Sequence, residues 1–299
     1  MSGQREITNC ICCGSNQLNP LKSFENASLV KCASCSMVFS SRNPTIVELE
    51  NHYQGYGRND YLSPITIKRY NEILDQFEKV RKTNRLLDVG CGIGYFLEVA
   101  KKRGWEVYGT EFTDEAIRIC QTKGIQMHQG VLNPQNYSLE SFDVITSFEV
   151  IEHINTPNAE MKNITSLLRK GGCFYVTTPN FNSLLRYYLG PNYNVIGWPE
   201  HLSYYTPKTL TSLMLKHGFR KRWVKSTGVS ITRFLTSRTP VKSLSPEEGT
   251  EFISANTEDE KLRNNFESNA ILSFAKKTLN SFLTISGKGD ALKGLFQKH

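Results

Sequence analysis

The sequence predicts an α/β protein, with a mostly parallel sheet flanked by helices and a small metal-held module at its N-terminus. Three observations predict it. Between residues 85 and 178, short apolar runs alternate with helical patterns, as crossover-connected parallel strands do. The first of these strands runs into a glycine-rich turn, Gly90-x-Gly92-x-Gly94, and the second ends on an acid, Glu111. Two Cys-x-x-Cys pairs, Cys10/Cys13 and Cys32/Cys35, precede them. A chain of 299 residues has room for one large domain and a small one.

The cysteines come first. Each pair places two thiolates on one tight turn, and the second pair completes a tetrahedron suited to Zn²⁺. Gly14 tolerates the positive φ of such a turn. Cys12 breaks the x-x spacing and is left out of the set. Four thiolates with no histidine or carboxylate among them describe a closed, structural site. The segment is too short to fold on burial alone. A zinc ribbon is therefore expected over residues 1–43.

Residues 44–83 read as a connector that becomes helical. Tyr53, Tyr56 and Tyr61 gather around Gly55 and Gly57, which suits packing against the next domain or a lid over a ligand. Tyr70, Ile73, Leu74, Phe77 and Val80 recur at helical spacing and predict a helix over 65–81.

The strand at 85–89 leads through the glycines into a helix at 95–103. Further strands are expected at 106–110, 125–129, 142–147 and 173–178, with helices at 114–123 and 159–168. Ligands of such sheets sit at the carboxyl ends of the strands. The glycine spacing is not the G-x-G-x-x-G of dinucleotide sites, and Asp88 stands just before the turn. An acid there disfavours a pyrophosphate and favours a cation. Glu111 can accept both hydroxyls of a ribose.

Composition narrows the class. Charged residues make up 21%, an ordinary value that argues against wholesale disorder. No apolar run approaches the roughly 18–20 residues of a spanning helix. The opening MSGQREITNC lacks the apolar stretch of a secretory signal, so a cytoplasmic location is expected. The net charge of +8 is concentrated: residues 181–243 hold ten basic side chains and one acidic one. That stretch is a solvated basic face, or it meets an anionic partner such as a phosphorylated substrate, a nucleic acid or a lipid headgroup.

Residues 84–227 resemble the class I S-adenosylmethionine-dependent methyltransferases. The resemblance is carried by LLDVGCGIGYFLEVAKKRGWEVYGTE, SFDVITSFEVIEHI, LLRKGGCFYVTTPN and HLSYYTPKTLTSLMLKHGF. In the last, Thr206 suits an N-cap, Pro207 the first helical position and Gly218 the stop. The ending GDALKGLFQK resembles that family's final, antiparallel strand, which pairs with a strand near 221–226. The resemblance implies a seven-stranded Rossmann-like sheet over 84–299. The ribbon resembles a bacterial subgroup tied to sugars, surface polysaccharides and natural products.

The resemblance also implies roles for residues. Gly90, Gly92, Gly94 and Tyr95 would approach the methionine end of the donor, and Asp88 its amino group. Glu111 would hold the ribose and Phe112 the adenine. The acid that many relatives carry after the third strand is absent at Val131, so backbone groups of Val131 and Leu132 would serve. Ser147, Phe148 and Glu149 would line the transfer site.

Methyl transfer needs alignment and exclusion of water, and an alcohol acceptor gains from a base. Glu149, Glu152 and His153 stand at i, i+3 and i+4, on one face if helical. They could brace loops, supply a base or orienter, or hold a divalent ion. His201 lies in the segment 179–206, which is rich in Asn, Tyr and Trp and is the natural acceptor pocket. It is the favoured base, ahead of His153 and Glu152.

Beyond it, 244–260 reads as a polar loop and 261–284 as a helix that packs on the domain, on a second copy or on a membrane surface. The acceptor is expected to be a small molecule or saccharide, phosphorylated or lipid-linked, methylated on oxygen. The alternative is an RNA methyltransferase that uses the ribbon and the basic stretch. Against it, the fourth strand ends in Ser147-Phe148-Glu149-Val150, not in Asn/Asp-Pro-Pro-aromatic. Acceptor identity and oligomeric state are not set by these residues.

Overall fold

The computed structural model describes residues 6–45, 48, 62–230 and 270–299. Tyr53, Tyr56, Tyr61 and the loop 244–260 lie outside the described residues, as does the start of the 261–284 helix.

The chain opens with three short strands, β1 (Leu18–Pro20), β2 (Leu29–Cys32) and β3 (Val38–Ser40). Helix α1 (Pro64–Phe77) follows, started by Ser63, whose side chain accepts the N–H of Thr66, and by Pro64 at the first position. It buries Ile65, Leu74 and Phe77, and a 3₁₀ turn carries it to Val80. Then come β4 (Arg85–Val89), α2 (Tyr95–Lys102), β5 (Glu106–Glu111), α3 (Asp114–Thr122), β6 (Gln126–Gln129), β7 (Phe142–Phe148) and α4 (Pro157–Leu167). The rest is β8 (Leu168–Pro179), α5 (Leu184–Leu189), β9 (Ser203–Tyr204), α6 (Pro207–Lys216), β10 (Phe219–Thr227), α7 (Ala270–Ser286) and β11 (Ala291–Lys298).

The large sheet has the order β10-β11-β8-β7-β4-β5-β6. The pairs from β8 through β6 are parallel, and β11 runs antiparallel to both neighbours. This is the seven-stranded sheet with a reversed strand that the resemblance implies. Its centre is apolar on both faces: Leu86, Leu87, Val144, Ile145, Phe174 and Val176 are almost wholly buried. The expected caps of α6 are present, with Thr206 accepting from the N–H of Thr209 and Gly218 at φ +79.

β8 begins five residues earlier than the sequence suggests, at Leu168. Asp143 accounts for order at that end of the sheet. It is fully buried, accepts the N–H groups of Lys82, Thr83 and Asn84 at 2.7–2.8 Å, and pairs with Arg169. Removing the carboxylate strands all four donors. Asp143→Ala should cost about 3–5 kcal/mol, read as a lower midpoint in urea unfolding.

The small sheet has the order β1-β2-β3-β9. Its fourth strand comes from the distant segment that follows His201, pairing Val38 with Tyr204 and Phe39 with Ser203.

Candidate active site

At the carboxyl end of the large sheet, β4 delivers Asp88 and then turns through the glycines. Gly90 has φ +68, and a Cβ on it would lie 2.6 Å from Cγ2 of Val150. Gly94 has φ +77, and its Cβ would lie 2.8 Å from the Cys120 sulfur. Side chains at either position would be both strained and obstructed. The loop is fixed by its neighbours: the N–H of Gly90 is donated to Thr110 Oγ1 at 3.2 Å, and that of Gly92 to Glu111 Oε2 at 3.0 Å. The Cys120 thiol donates to the carbonyl of Gly92 at 3.3 Å.

Glu111 holds its own turn as well, its Oε1 accepting the N–H of Phe112 at 2.7 Å. Oε1 also takes the N–H of Thr113 at 3.4 Å, while Oε2, with one donor, has lone-pair capacity left for a further one. Beside it, Phe112 is 65% exposed and Val131 70% exposed, two apolar side chains at the tips of β5 and β6. Such a pair suits a planar base set between them. The Leu132 side chain is buried, and its carbonyl accepts from Asn163 at 3.1 Å. Tyr95 opens α2 with the Lys123 ammonium 4.6 Å from its ring centre.

Asp88 is 3% exposed and accepts a hydrogen bond from Thr146 at 2.7 Å. Burial pushes its carboxyl up to about 7; the Thr146 bond opposes the shift and the charge of Glu111 adds to it.

Ser147 is buried in β7. The Phe148 ring packs 4.9 Å from Phe96 and 5.4 Å from Tyr175, with Tyr70 of α1 at 6.1 Å. One correction concerns the next residues. Glu149, Glu152 and His153 do not share an α-helical face: Glu149 has φ +54, and only Ile151–His153 form a 3₁₀ turn. The group that converges is Glu152, His153 and His201, with one ligand atom from each lying within 4.8 Å of the others. The sequence names all three as candidates, but not that they meet, because His201 arrives from 48 residues downstream.

Both imidazoles are oriented by backbone. Nδ1 of His153 lies 2.9 Å from the Glu200 carbonyl, and Nδ1 of His201 lies 2.6 Å from the Val195 carbonyl. A carbonyl can only accept, so each Nδ1 donates in that contact, and Nε2 is the nitrogen through which either ring could act as a base. The rings meet edge to face, 4.9 Å between centres. Glu152 is 2% exposed and accepts from Thr178 at 2.9 Å. Burial first, then the charge of Glu149, pushes its carboxyl well above the usual range.

The four cysteines converge at the other end of the small sheet. Cys10 and Cys35 sulfurs are 3.4 Å apart and those of Cys13 and Cys32 3.6 Å, close to the ~3.8 Å edge of a tetrahedron with 2.3 Å metal–sulfur bonds. Burial disfavours the Cys32 thiolate, but the N–H groups of Cys35 and Ser34 and the nearby thiols bring it down to about 6. The donor set fits a zinc ion. Cys12 is buried, pushed up to about 12 and outside the cluster.

Sequence reasoning missed Thr110, Thr146 and Thr178. Their signal was available: each is a hydroxyl within three residues of a parallel strand's carboxyl end.

A sequence profile described as "Methyltransferase domain" matches residues 63–222, just over half of the chain. The chain belongs to the methyltransferase domain family. Within this methyltransferase family it is similar to a ubiquinone biosynthesis O-methyltransferase of Leptothrix cholodnii, 26% identical over 157 residues. That match covers 49% of this chain and 64% of the relative. One from Coxiella burnetii is 29% identical over 152 residues, covering 46% and 64%. The chain thus spans under two thirds of the length of these relatives. Its fold is similar to that of an S-adenosylmethionine-dependent methyltransferase from Archaeoglobus fulgidus, at TM-score 0.52 and 18% identity, covering 84% of this chain and 99% of that one. Among the described residues, no helix of this methyltransferase-family chain is long and apolar enough to cross a membrane.

Proposed function

We propose that this protein methylates a hydroxyl of a small-molecule acceptor, with S-adenosylmethionine as donor. The observation that carries the reading is the pair of oriented imidazoles, His153 and His201, the first of them on a turn whose Val150 packs on Gly90 of the donor loop. Donor and base sides of the site are thereby in contact.

When bound, the donor supplies a methyl group on a cationic sulfur. The chain's residues do the rest. Glu111 would hold the ribose, exposed Phe112 and Val131 would flank the base, and buried Asp88 would face the charged end. His201 Nε2 would take the proton of the acceptor's hydroxyl, freeing that oxygen to receive the methyl group. His153 is the second base candidate, and Glu152 orients the turn through its backbone carbonyl, which accepts from Leu202 at 2.8 Å.

Calorimetry with S-adenosylhomocysteine tests the donor assignment: binding is expected, and its absence overturns the reading. The pH dependence is a second test. Asp88 is raised to about 7 from an ordinary ~3.9, so below about 7 the free protein holds a proton there that a cationic ligand expels. Affinity should fall about tenfold for each pH unit below 7 and be flat above it. Asp88→Asn should remove the slope.

The relatives' names favour an acceptor from ubiquinone biosynthesis, and the ribbon's resemblance favours a saccharide. Methyl transfer to catechols and to sugar nucleotides, run in parallel, separates them. A lipid-linked acceptor is compatible with α7, where Phe274, Phe282 and Ile285 are exposed at the same end of the sheet as the donor loop. The RNA reading is disfavoured by placement. Lys79, Arg220, Lys221 and Arg222 line a groove of about 470 Å³ at the strand ends opposite the glycine loop. Nucleic acid bound there would not present a base to the donor.

A second reading of the histidine cluster is a divalent ion held by Glu152, His153 and His201. Stimulation of turnover by added Mg²⁺ or Zn²⁺, lost in Glu152→Gln, would favour it. For the cysteine site we propose a structural zinc. Elemental analysis should find about one zinc per chain, lost in Cys32→Ser.

A further inference from the structure

We infer that the N-terminal cysteine ribbon is the wall against which the acceptor segment, with His201, and the turn that bears His153 are ordered, so that its metal state sets the acceptor side of the site and leaves the donor side unchanged. This rests on the proposed placement of the acceptor at His153 and His201.

The contacts run in one unbroken line. The ribbon strand β3 donates the N–H of Ser40 to the carbonyl of Leu202 at 2.9 Å. Leu202 adjoins His201, and its own N–H goes to the carbonyl of Glu152. One residue is therefore tied to the ribbon on its carbonyl and to the base-bearing turn on its amide. Two further ties flank it. Asn155 donates to Asn43 at 2.7 Å, and Ser203 Oγ donates to the carbonyl of Ile154 at 2.6 Å.

The side chains repeat the pattern. Phe24, Ala27, Leu29 and Val38 of the ribbon form one apolar cluster with Tyr204, Phe181, Ile196 and Trp198 of the acceptor segment. The Arg42 guanidinium lies 4.3 Å from the Trp198 ring centre. Neither half of that cluster can exclude water alone, so the ribbon and the segment order together. A small ribbon draws its folding free energy from its metal. That energy is transmitted to 193–206 through the shared strand pair and core.

The donor loop is held differently. The hydrogen bonds that hold Gly90 and Gly92 come from Thr110, Glu111 and Cys120 on β5 and α3, and Val150 of the base-bearing turn meets the loop only by packing on Gly90. The ribbon's outer edge also bears on its role: β9 occupies the side of β3 that a free-standing ribbon would offer to a partner.

The test uses the full-length, zinc-loaded protein, with hydrogen exchange read peptide by peptide and S-adenosylhomocysteine affinity read by calorimetry. Chelating the metal should speed exchange about tenfold or more in peptides covering 193–206 and 150–156. Peptides covering 88–98 and 108–114 should be unchanged, with affinity within about twofold. Ser40→Pro, which deletes the donor to Leu202, should reproduce the effect; if it also loses zinc, it repeats the chelation arm. Ser40→Ala keeps that N–H and loses only the hydroxyl's local bonds with the Arg42 backbone, so it should loosen 193–206 much less than Ser40→Pro. Protection of 193–206 that survives both metal loss and Ser40→Pro overturns the inference. So does equal loosening of the donor loop, which would mean that the ribbon stabilises the whole body. If the untreated protein does not bind S-adenosylhomocysteine, the functional reading falls, and the exchange contrast still decides what the ribbon orders.

Discussion

His201→Ala is expected to slow methyl transfer by about 10²–10⁴-fold, the usual contribution of a positioned base. The loss should appear in kcat and leave S-adenosylhomocysteine affinity unchanged, since the ring lies on the acceptor side. His201→Asn is the necessary companion. Its amide can still donate to the Val195 carbonyl, as Nδ1 of His201 does at 2.6 Å, but it offers no basic nitrogen. Loss of turnover in both variants assigns the proton to the ring. Recovery in His201→Asn would make the residue a loop anchor. His153→Ala is expected to cost less, because its ring stands beside the favoured base, 4.9 Å away centre to centre. Full activity in all three would leave alignment alone to carry the reaction.

The second large effect concerns the donor. Glu111→Ala should weaken S-adenosylhomocysteine binding by about 100-fold or more, from the loss of two charge-assisted hydrogen bonds worth about 1.5–3 kcal/mol each. The carboxylate also holds the N–H groups of Gly92 and Phe112, so its removal frees both walls of the crevice. Glu111→Gln keeps one carbonyl acceptor and should fall between the two. A Glu111→Ala protein that binds as tightly as its parent would remove the donor from this crevice.

Much of the fold is legible in the sequence because its signals are local. The expected starts at Glu106, Asp114 and Phe142 match the structure to the residue. Period, capping and glycine chemistry act within a few positions, and α6 shows all three. The early start of β8 is not local. It depends on Asp143, a buried carboxylate that collects three backbone donors from the loop before β4 and an arginine from β8.

The base-bearing turn shows the same division. A helical reading of Glu149-Val-Ile-Glu-His follows from spacing alone. In the folded chain Val150 must pack on Gly90, and Glu149 takes φ +54 at the strand's end. Tertiary contact outweighs the local preference there. Glu149 leaves the group, and His201 enters it.

The sequence by itself determined the parts that neighbours along the chain can specify: the parallel sheet, the glycine turn with Asp88 and Glu111, and two cysteine pairs at zinc-ligand spacing. Only the tertiary structure decided that β9 joins the ribbon, and that Glu152, His153 and His201 meet. The reason is physical. A two-residue strand such as β9 has no signature of its own; it exists because β3 offers it hydrogen bonds and Phe24, Val38 and Phe181 offer it a core.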